Sequence, residues 1–185
     1  RGLGDVYKRQ RPHPSRATPA RAKIERMPLA DSAYGVVFVC SGNICRSPMA
    51  EVVLRALASD AGLGDRVRVT SAGTGDWHVG EHADPRTVAA LARRGFDGSA
   101  HRARHYDAAS FDRNDLVIAL DRGHERALTR LARTDDDRDK IALLQSFAGA
   151  GADLDVPDPY YGDDALFDRV LTCLLYTSPS PRDVE

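Results

Sequence analysis

The stretch VVFVCSGNICRSPMAEVVLRAL, residues 36–57, predicts a strand, a tight loop and a helix in immediate succession. Residues 36–39 form an apolar run of strand length, and residues 49–57 place apolar side chains at helical spacing. The loop between them begins at Cys40 and ends at Arg46 and Ser47. Backbone N–H groups at a helix N-terminus attract anions, and the helix dipole adds partial positive charge. This order of elements therefore predicts a site for a dianion such as phosphate.

The same loop brings a thiol and a guanidinium to one point. Arg46 can hold two phosphate oxygens in a bidentate fork, and the positive field of the loop favours the nucleophilic thiolate form of Cys40. Ser47 can donate its hydroxyl to that sulfur and stabilise it as a leaving group. Gly42 suits a position where the backbone adopts a positive φ or approaches a ligand closely. The alternative is a buried thiol at a strand end followed by an ordinary helix arginine.

Six segments of the chain carry a resemblance to a known family: VCSGNICRSPMAE at 39–51, VTSAGTGDWHVG at 69–80, DPR at 84–86, HRAR at 101–104, ALDR at 119–122 and VPDPYYGDD at 156–164. In this unbroken order the chain resembles a low-molecular-weight protein tyrosine phosphatase, and in particular the actinobacterial members of that family. The resemblance implies hydrolysis of phosphotyrosine or a small aryl phosphate through a phosphocysteine, with no metal and no cofactor.

A phosphatase also needs an acid, because a leaving oxygen that is not protonated departs slowly. Asp158 is the candidate, since it lies between two prolines that stiffen its loop and keep the backbone extended. It matches the acid loop of the family, where it would protonate the leaving oxygen and then activate water. An ordinary turn aspartate is the alternative.

The resemblance implies supporting roles for further residues. Asn43, Ser71 and His101 resemble the hydrogen-bond set that holds the phosphate loop in its strained shape, against the alternative of ordinary loop polar groups. The other phosphate-loop positions are Ser41, Gly42, Ile44 and Cys45. Three aromatic residues resemble the walls of a cleft that favours a flat phenyl phosphate over a serine phosphate, unless they only pack on the surface: Trp77, Tyr160 and Tyr161.

Two further groups of residues receive predictions of their own. Cys45 could form a disulfide with an oxidised Cys40 and protect it from sulfinic acid formation, or it could be a small apolar residue facing the core.

Asp121 is expected to orient the acid loop or to cap the helix that follows it. Four histidines show no metal-ligand spacing with the cysteines and are expected on the surface: His78, His82, His105 and His124.

The chain alternates between strand and helix patterns. Strands are predicted at 35–39, 66–71, 115–120 and 140–144, and helices at 48–60, 85–94, 123–133 and from 163 onward. This alternation predicts a single α/β domain with a four-stranded, parallel, twisted sheet and helices on both faces. Ligands bind at the carboxyl ends of such strands, where Cys40, Ser71 and Asp121 are expected to converge.

The two ends of the chain do not fit this domain. Residues 1–10, RGLGDVYKRQ, and residues 173–183, CLLYTSPSPRD, read as translations of opposite strands of one sequencing-library adapter. We therefore assign 1–10 and 173–185 to the adapter and 34–172 to the domain. Residues 11–33 are interpreted as upstream read-through or a disordered segment, with Met27 as the expected start; a basic arm for nucleic acid or a membrane is the alternative.

This assignment leaves the last helix truncated. Its apolar stripe, Leu166, Phe167, Val170 and Leu171, should continue beyond Thr172, and Leu174 and Leu175 extend it by about one turn before Pro179. We expect the truncation to lower the stability of the fold.

Composition excludes several classes of protein. Residues 27–172 carry 17 Lys and Arg against 23 Asp and Glu, which argues against a nucleic-acid surface. With Cys173 assigned to the adapter, the sparse cysteines Cys40 and Cys45 fit a reducing compartment. No run approaches the roughly 20 apolar residues of a membrane span. We expect a soluble, cytoplasmic monomer, and the sequence leaves export without a signal peptide open.

Two other functions stay open at this stage. A thiol-coupled arsenate reductase shares this fold and loop, but its thioredoxin-linked members need further cysteines, and residues 46–172 contain none. A phosphate-binding module without turnover is the other alternative, although binding alone needs neither Cys40 nor Asp158.

Overall fold

The computed structural model describes residues 33–148 and 153–177. Within these ranges four parallel strands form one sheet in the order β2-β1-β3-β4: β1 Tyr34–Cys40, β2 Val67–Gly73, β3 Leu116–Ala119 and β4 Ile141–Leu143. The predicted parallel sheet is confirmed. The predicted segment 1–10, nearly all of 11–33 and the end of the tail 173–185 lie outside the described residues.

Helices connect the strands: α1 Arg46–Asp60, α2 Pro85–Arg93, α3 Arg122–Leu131, α4 Asp135–Asp139 and α5 Asp164–Thr177, with 3-10 turns at Ala108–Arg113 and Leu144–Phe147. Aspartates cap two of them, because Asp84 accepts from the N–H of Arg86 and Asp121 from the N–H of His124. The capping role expected of Asp121 is thus confirmed. The sequence predicts α1, α2, α3 and α5 but neither α4 nor the 3-10 turns. None of the helices in the described ranges has the length and apolar composition of a bilayer span.

The sheet is buried on both faces, because successive residues of a strand point to opposite sides. From β1, Val36 and Phe38 enter a core formed with α1, α2 and α5, whereas Val37 and Val39 enter a second core with α3. This two-sided burial explains why residues 36–39 are apolar without interruption. The expected helices on both faces are confirmed.

The central strand β1 delivers Cys40 to the carboxyl edge of the sheet. Cys40 is the last residue of β1 and lies in register with Gly73 at the end of β2. The loop that follows packs closely on β2, since a Cβ at Gly73 would lie only 2.6 Å from the Ser41 carbonyl oxygen. Only glycine fits this contact without displacing the backbone.

Helix α5 completes the core that contains α1 and α2. Its residues Phe167, Val170, Leu171 and Leu174 are buried, and Leu175 packs partly against them. The expected extension of the stripe by Leu174 and Leu175 is confirmed. The assignment of these two residues to an adapter stays a prediction.

We expect Leu174→Ala to lower the free energy of unfolding by about 2–5 kcal/mol, the usual cost of removing a buried leucine side chain. Tyr176 lies two residues away on the same helix and is 58% exposed, so Tyr176→Ala should change stability by no more than about 0.5 kcal/mol. Urea unfolding of both variants measures the difference. Equal losses would show that the last turn of α5 is not packed on the core.

Candidate active site

The loop between β1 and α1 turns its carbonyl groups toward the surrounding protein. Five of them accept hydrogen bonds at 2.8–3.3 Å: Cys40 from Thr74 N, Ser41 from Gly75 N, Asn43 from His101 Nε2, Ile44 from Asp84 N and Cys45 from Met49 N. In a trans peptide the C=O and the following N–H point in opposite directions. The N–H groups that follow these carbonyls therefore point to the inside of the loop, as an anion site requires.

Asn43 holds the loop in this shape. It is the one non-glycine residue with a positive φ among the residues described, at 56°. Its Nδ2 donates to Ser47 Oγ at 2.9 Å and to Ser71 Oγ at 2.8 Å, and its Oδ1 accepts from Arg104 N at 2.8 Å. These bonds offset the roughly 1–2 kcal/mol that left-handed backbone costs an L-residue.

Two alternatives were predicted for Gly42, a positive φ or close approach to a ligand. The positive φ lies at Asn43, so the first alternative was wrong, and the second stays a prediction. Gly42 instead gives room to the opposite wall, since a Cβ there would lie 2.8 Å from His78 Cδ2.

A buried layer supports Asn43 from behind. Ser71 donates its hydroxyl to Glu51, which also lies 3.8 Å from His101 Nδ1. Because a carbonyl only accepts, His101 carries its proton on Nε2 and donates to Asn43 O at 2.8 Å. Burial lowers the pKa of His101 despite this hydrogen bond and the Glu51 carboxylate, so the ring is neutral at pH 7. The structure thus brings Asn43, Ser71 and His101 together, as the sequence predicts.

The Cys40 thiol and the Ser47 hydroxyl are in contact. The Sγ to Oγ distance is 3.0 Å, and Ser47 Oγ also lies 3.3 Å from the carbonyl oxygen of Ala72. The hydroxyl has one proton, and Asn43 Nδ2 donates to its oxygen. When Cys40 is a thiolate, which cannot donate, this proton is available to the sulfur.

Arg46 is buried and connects the loop to two carboxylates. Its NH1 donates to Asp121 Oδ2 at 2.8 Å and to Val156 O at 3.2 Å, and its NH2 donates to Asp158 Oδ2 at 2.8 Å. Burial alone would raise the pKa of Asp121, but the neighbouring His124 ring, the hydrogen bond from His124 N and the charge of Arg46 hold that pKa well below its usual range. Asp121 is therefore a permanent counter-charge, and it orients Arg46 rather than the acid loop directly.

An arginine fixes each end of the Asp158 loop. Before it, Arg122 NH2 donates to Asp155 Oδ2 at 2.8 Å. After it, Arg86 donates to the carbonyl oxygens of Tyr160 and Gly162 at 3.0 and 2.9 Å. Arginines from α2 and α3 therefore hold both ends of the segment that carries Asp158.

The loop and the aromatic residues enclose an open cavity of about 350 Å³. It is lined by Cys40, Ser41, Gly42, Ile44, Cys45, Arg46, Trp77, His78, Asp158, Tyr160 and Tyr161. Trp77 is 63% and Tyr161 is 96% exposed, so their rings stand at the mouth. The structure places all three predicted aromatic residues on this cavity.

Cys45 also lines the cavity, but its thiol is buried. Burial, followed by the charges of Asp84 and Cys40, raises the pKa of Cys45 to about 12. The thiol therefore stays protonated at neutral pH.

The prediction of a surface position was wrong for His124. His124 is 4% exposed, and its Nε2 lies 2.9 Å from Ser41 Oγ. The reason is that α3 begins at the carboxyl edge of the sheet, which turns its third residue toward the phosphate loop. His82 and His105 are exposed as predicted, whereas His78 is partly buried against the cavity. Within the described ranges no group of three or more His, Cys, Asp or Glu could hold a metal ion.

Sequence reasoning missed three residues that support the site. His124 is one, and the others are Glu51 and Arg86. A charged residue within the apolar stretch of α1 was the available signal for Glu51, and the DPR motif was the signal for Arg86.

Fold and site together define an α/β protein with a loop suited to an anion beside a thiol. A family model for the low molecular weight phosphotyrosine protein phosphatases matches residues 35–177. The chain belongs to this family. The low molecular weight protein-tyrosine-phosphatase of Streptomyces coelicolor is 59% identical over 140 residues, which cover 75% of this chain and 85% of that protein.

Solved structures agree with this membership. The protein tyrosine phosphatase of Entamoeba histolytica, with Hepes in its active site, has a TM-score of 0.74 at 31% identity, over 79% of this chain and 92% of its own. Vibrio vulnificus Wzb in complex with benzylphosphonate has a TM-score of 0.69 at 27% identity, over 78% and 94%. The predicted enzyme class, a protein-tyrosine phosphatase that acts on phosphoproteins or aryl phosphates, is confirmed.

The two roles of Asn43 can be separated by a pair of substitutions. Asn43→Gly removes the side-chain hydrogen bonds but permits a positive φ, and should cost about 3 kcal/mol of stability for three bonds at roughly 1 kcal/mol each. Asn43→Ala should cost about 1 kcal/mol more, because the left-handed penalty exceeds the entropy that glycine adds to the unfolded chain. Urea unfolding tests this order. If the alanine variant is as stable as the glycine variant, the positive φ at position 43 does not strain an alanine there.

Proposed function

We propose that this chain hydrolyses phosphotyrosine with Cys40 as the nucleophile, Arg46 and the loop N–H groups as the phosphate site, and Asp158 as acid and then base. The observation that carries the proposal is the contact between Arg46 and Asp158, whose NH2 and Oδ2 atoms lie 2.8 Å apart. One guanidinium thus joins the loop that would hold the phosphoryl group to the carboxyl that would face the leaving oxygen.

In the first step the Cys40 thiolate attacks phosphorus and the P–O bond to the phenol breaks. Asp158 gives its proton to the departing oxygen, because phenoxide is a poorer leaving group than phenol. Arg46 and the loop N–H groups stabilise the charge on the three equatorial oxygens. The products of this step are a phenol and a phosphocysteine.

In the second step water attacks the phosphocysteine. The Asp158 carboxylate takes a proton from the water, the S–P bond breaks, and inorganic phosphate is released. Cys40 is now the leaving group, and the Ser47 hydroxyl, 3.0 Å from its sulfur, is placed to donate to the thiolate. At the end of this step Asp158 is protonated again and Cys40 is again a thiolate.

The substrate is proposed to be an aryl phosphate because aromatic rings surround the cavity mouth. Trp77, Tyr160 and Tyr161 line it, and a phenyl ring packs well against such side chains. The benzylphosphonate bound by Vibrio vulnificus Wzb also joins a ring to a phosphorus group. A cytoplasmic location, a monomeric state and the absence of nucleic-acid binding stay predictions that belong to the same proposal.

Hydrolysis of para-nitrophenyl phosphate in EDTA tests the assignment. We expect Cys40→Ser to abolish turnover and Asp158→Asn to lower kcat by about 10²–10⁴-fold, the usual contribution of a general acid. Asp153→Asn is the matched control, since Asp153 is an exposed aspartate at the start of the same segment, and it should keep the parental rate. An inactive but folded parent, or Asp153→Asn as slow as Asp158→Asn, contradicts the assignment. Thiol oxidation that depends on arsenate would instead favour a reductase.

The proposal includes Cys45 as a redox partner. Oxidation of Cys40 by peroxide gives a sulfenic acid, and attack by the Cys45 thiolate forms the disulfide and expels hydroxide, which takes up a proton to become water. The raised pKa of Cys45, about 12, keeps the thiolate scarce. Disulfide formation should therefore become faster as pH rises.

Peroxide inactivation at two pH values tests this role. After inactivation at pH 7 and at pH 9, the parent should recover more activity with thiol at the higher pH, because more Cys45 is ionised. Cys45→Ala should recover little at either pH. Cys173→Ala is the matched control and should behave like the parent; equal recovery in the parent and in Cys45→Ala would remove the redox role.

A further inference from the structure

His124 joins the phosphate loop to the ion pair of Arg46. Its Nε2 lies 2.9 Å from Ser41 Oγ, and Ser41 directly follows Cys40 in the loop. Its Nδ1 lies 3.0 Å from Asp121 Oδ1, and the other oxygen of Asp121 accepts from Arg46 NH1 at 2.8 Å. The ring is thus a bridge between two groups that face the phosphate site from different elements.

The neighbours of the ring determine where its proton lies. An unprotonated Nδ1 would place its partial negative charge 3.0 Å from a carboxylate oxygen, which is repulsive, so Nδ1 carries the proton. In the neutral ring Nε2 is then an acceptor, and Ser41 donates its hydroxyl proton to it. The contact with Asp121 is close but poorly aligned for a hydrogen bond, so Ser41 is the well-formed partner of the ring.

We propose that His124 is a positioning residue for phosphate binding, which it serves by fixing Ser41 at the start of the loop. This inference rests on the proposed function. Ser41 has two attachments, since its carbonyl accepts from Gly75 N at 3.0 Å and its hydroxyl is held by His124. Without the second attachment, the start of the loop relies on its carbonyl hydrogen bonds alone to keep its N–H groups directed at the anion.

Two substitutions separate the arms of the bridge. The amide of asparagine reaches the place of Nδ1, and the longer amide of glutamine reaches the place of Nε2. His124→Asn therefore keeps the contact with Asp121 and loses Ser41, whereas His124→Gln keeps Ser41. His105→Asn is the control, because His105 is exposed.

Titration calorimetry with inorganic phosphate measures the site without turnover. We expect His124→Asn to weaken phosphate binding about fivefold, the effect of losing one hydrogen bond of about 1 kcal/mol. His124→Gln and His105→Asn should stay within about twofold of the parent, in the range of a change that removes no buried contact. Ser41→Ala should match His124→Asn, and the double variant should be no weaker than either, because both remove the same contact. With para-nitrophenyl phosphate, KM should rise in His124→Asn while kcat changes little.

The outcomes distinguish this inference from the proposed function. Equal weakening in His124→Asn and His124→Gln, or no weakening in either, overturns the positioning role. Additive losses in the double variant also overturn it. An inactive parent that still binds phosphate, with the expected difference between the two variants, overturns the catalytic proposal and supports the positioning role of His124.

Discussion

The left-handed backbone at Asn43 is the constraint on which the site depends. A loop of this length can direct successive N–H groups inward only if one residue reverses the direction of the chain, and Asn43 does so with φ at 56°. Its side chain makes the reversal stable by bonding to Ser47, Ser71 and Arg104 N. The same amide that bends the loop also fixes Ser47, the hydroxyl next to the sulfur. The Asn43 amide therefore stabilises both the shape of the loop and the position of the hydroxyl beside the thiol.

The sheet supplies the second condition, which is that distant segments meet at one edge. Parallel strands end on the same side, so β1 brings Cys40, β2 brings the supports of Asn43, and β3 leads into Asp121. The acid segment is fixed to this edge as well, because Val156 N donates to Leu120 O at 2.9 Å. Arg46 and Asp158, which are 112 positions apart in the sequence, therefore contact each other directly.

The fold and the chemical groups of the site could be predicted from the sequence, because their signals are local. The strand-loop-helix pattern around Cys40, the apolar runs of the strands and the prolines beside Asp158 each show in a few adjacent residues. The role of His124 could not be predicted, since it depends on the direction in which the third residue of α3 points. A positive φ was one of two alternatives predicted for Gly42 from its residue type, but it occurs at Asn43, whose side-chain hydrogen bonds stabilise it. Features of this kind can be recognised only when the three-dimensional contacts of the residue are known.

The shared use of Arg46 by Asp121 and Asp158 makes anion affinity and the position of the acid one linked equilibrium. Asp158 and a phosphate group would compete for the NH2 group of Arg46, whereas Asp121 accepts from the NH1 group of the same guanidinium. In the proposed mechanism, a bound dianion would weaken the hold of Arg46 on Asp158, and by reciprocity the hold of Asp158 on Arg46 would weaken the binding of the dianion. The free energy that separates Asp158 from Arg46 would then come from the substrate itself, and the carboxyl would be released toward the leaving oxygen only when a phosphate is bound.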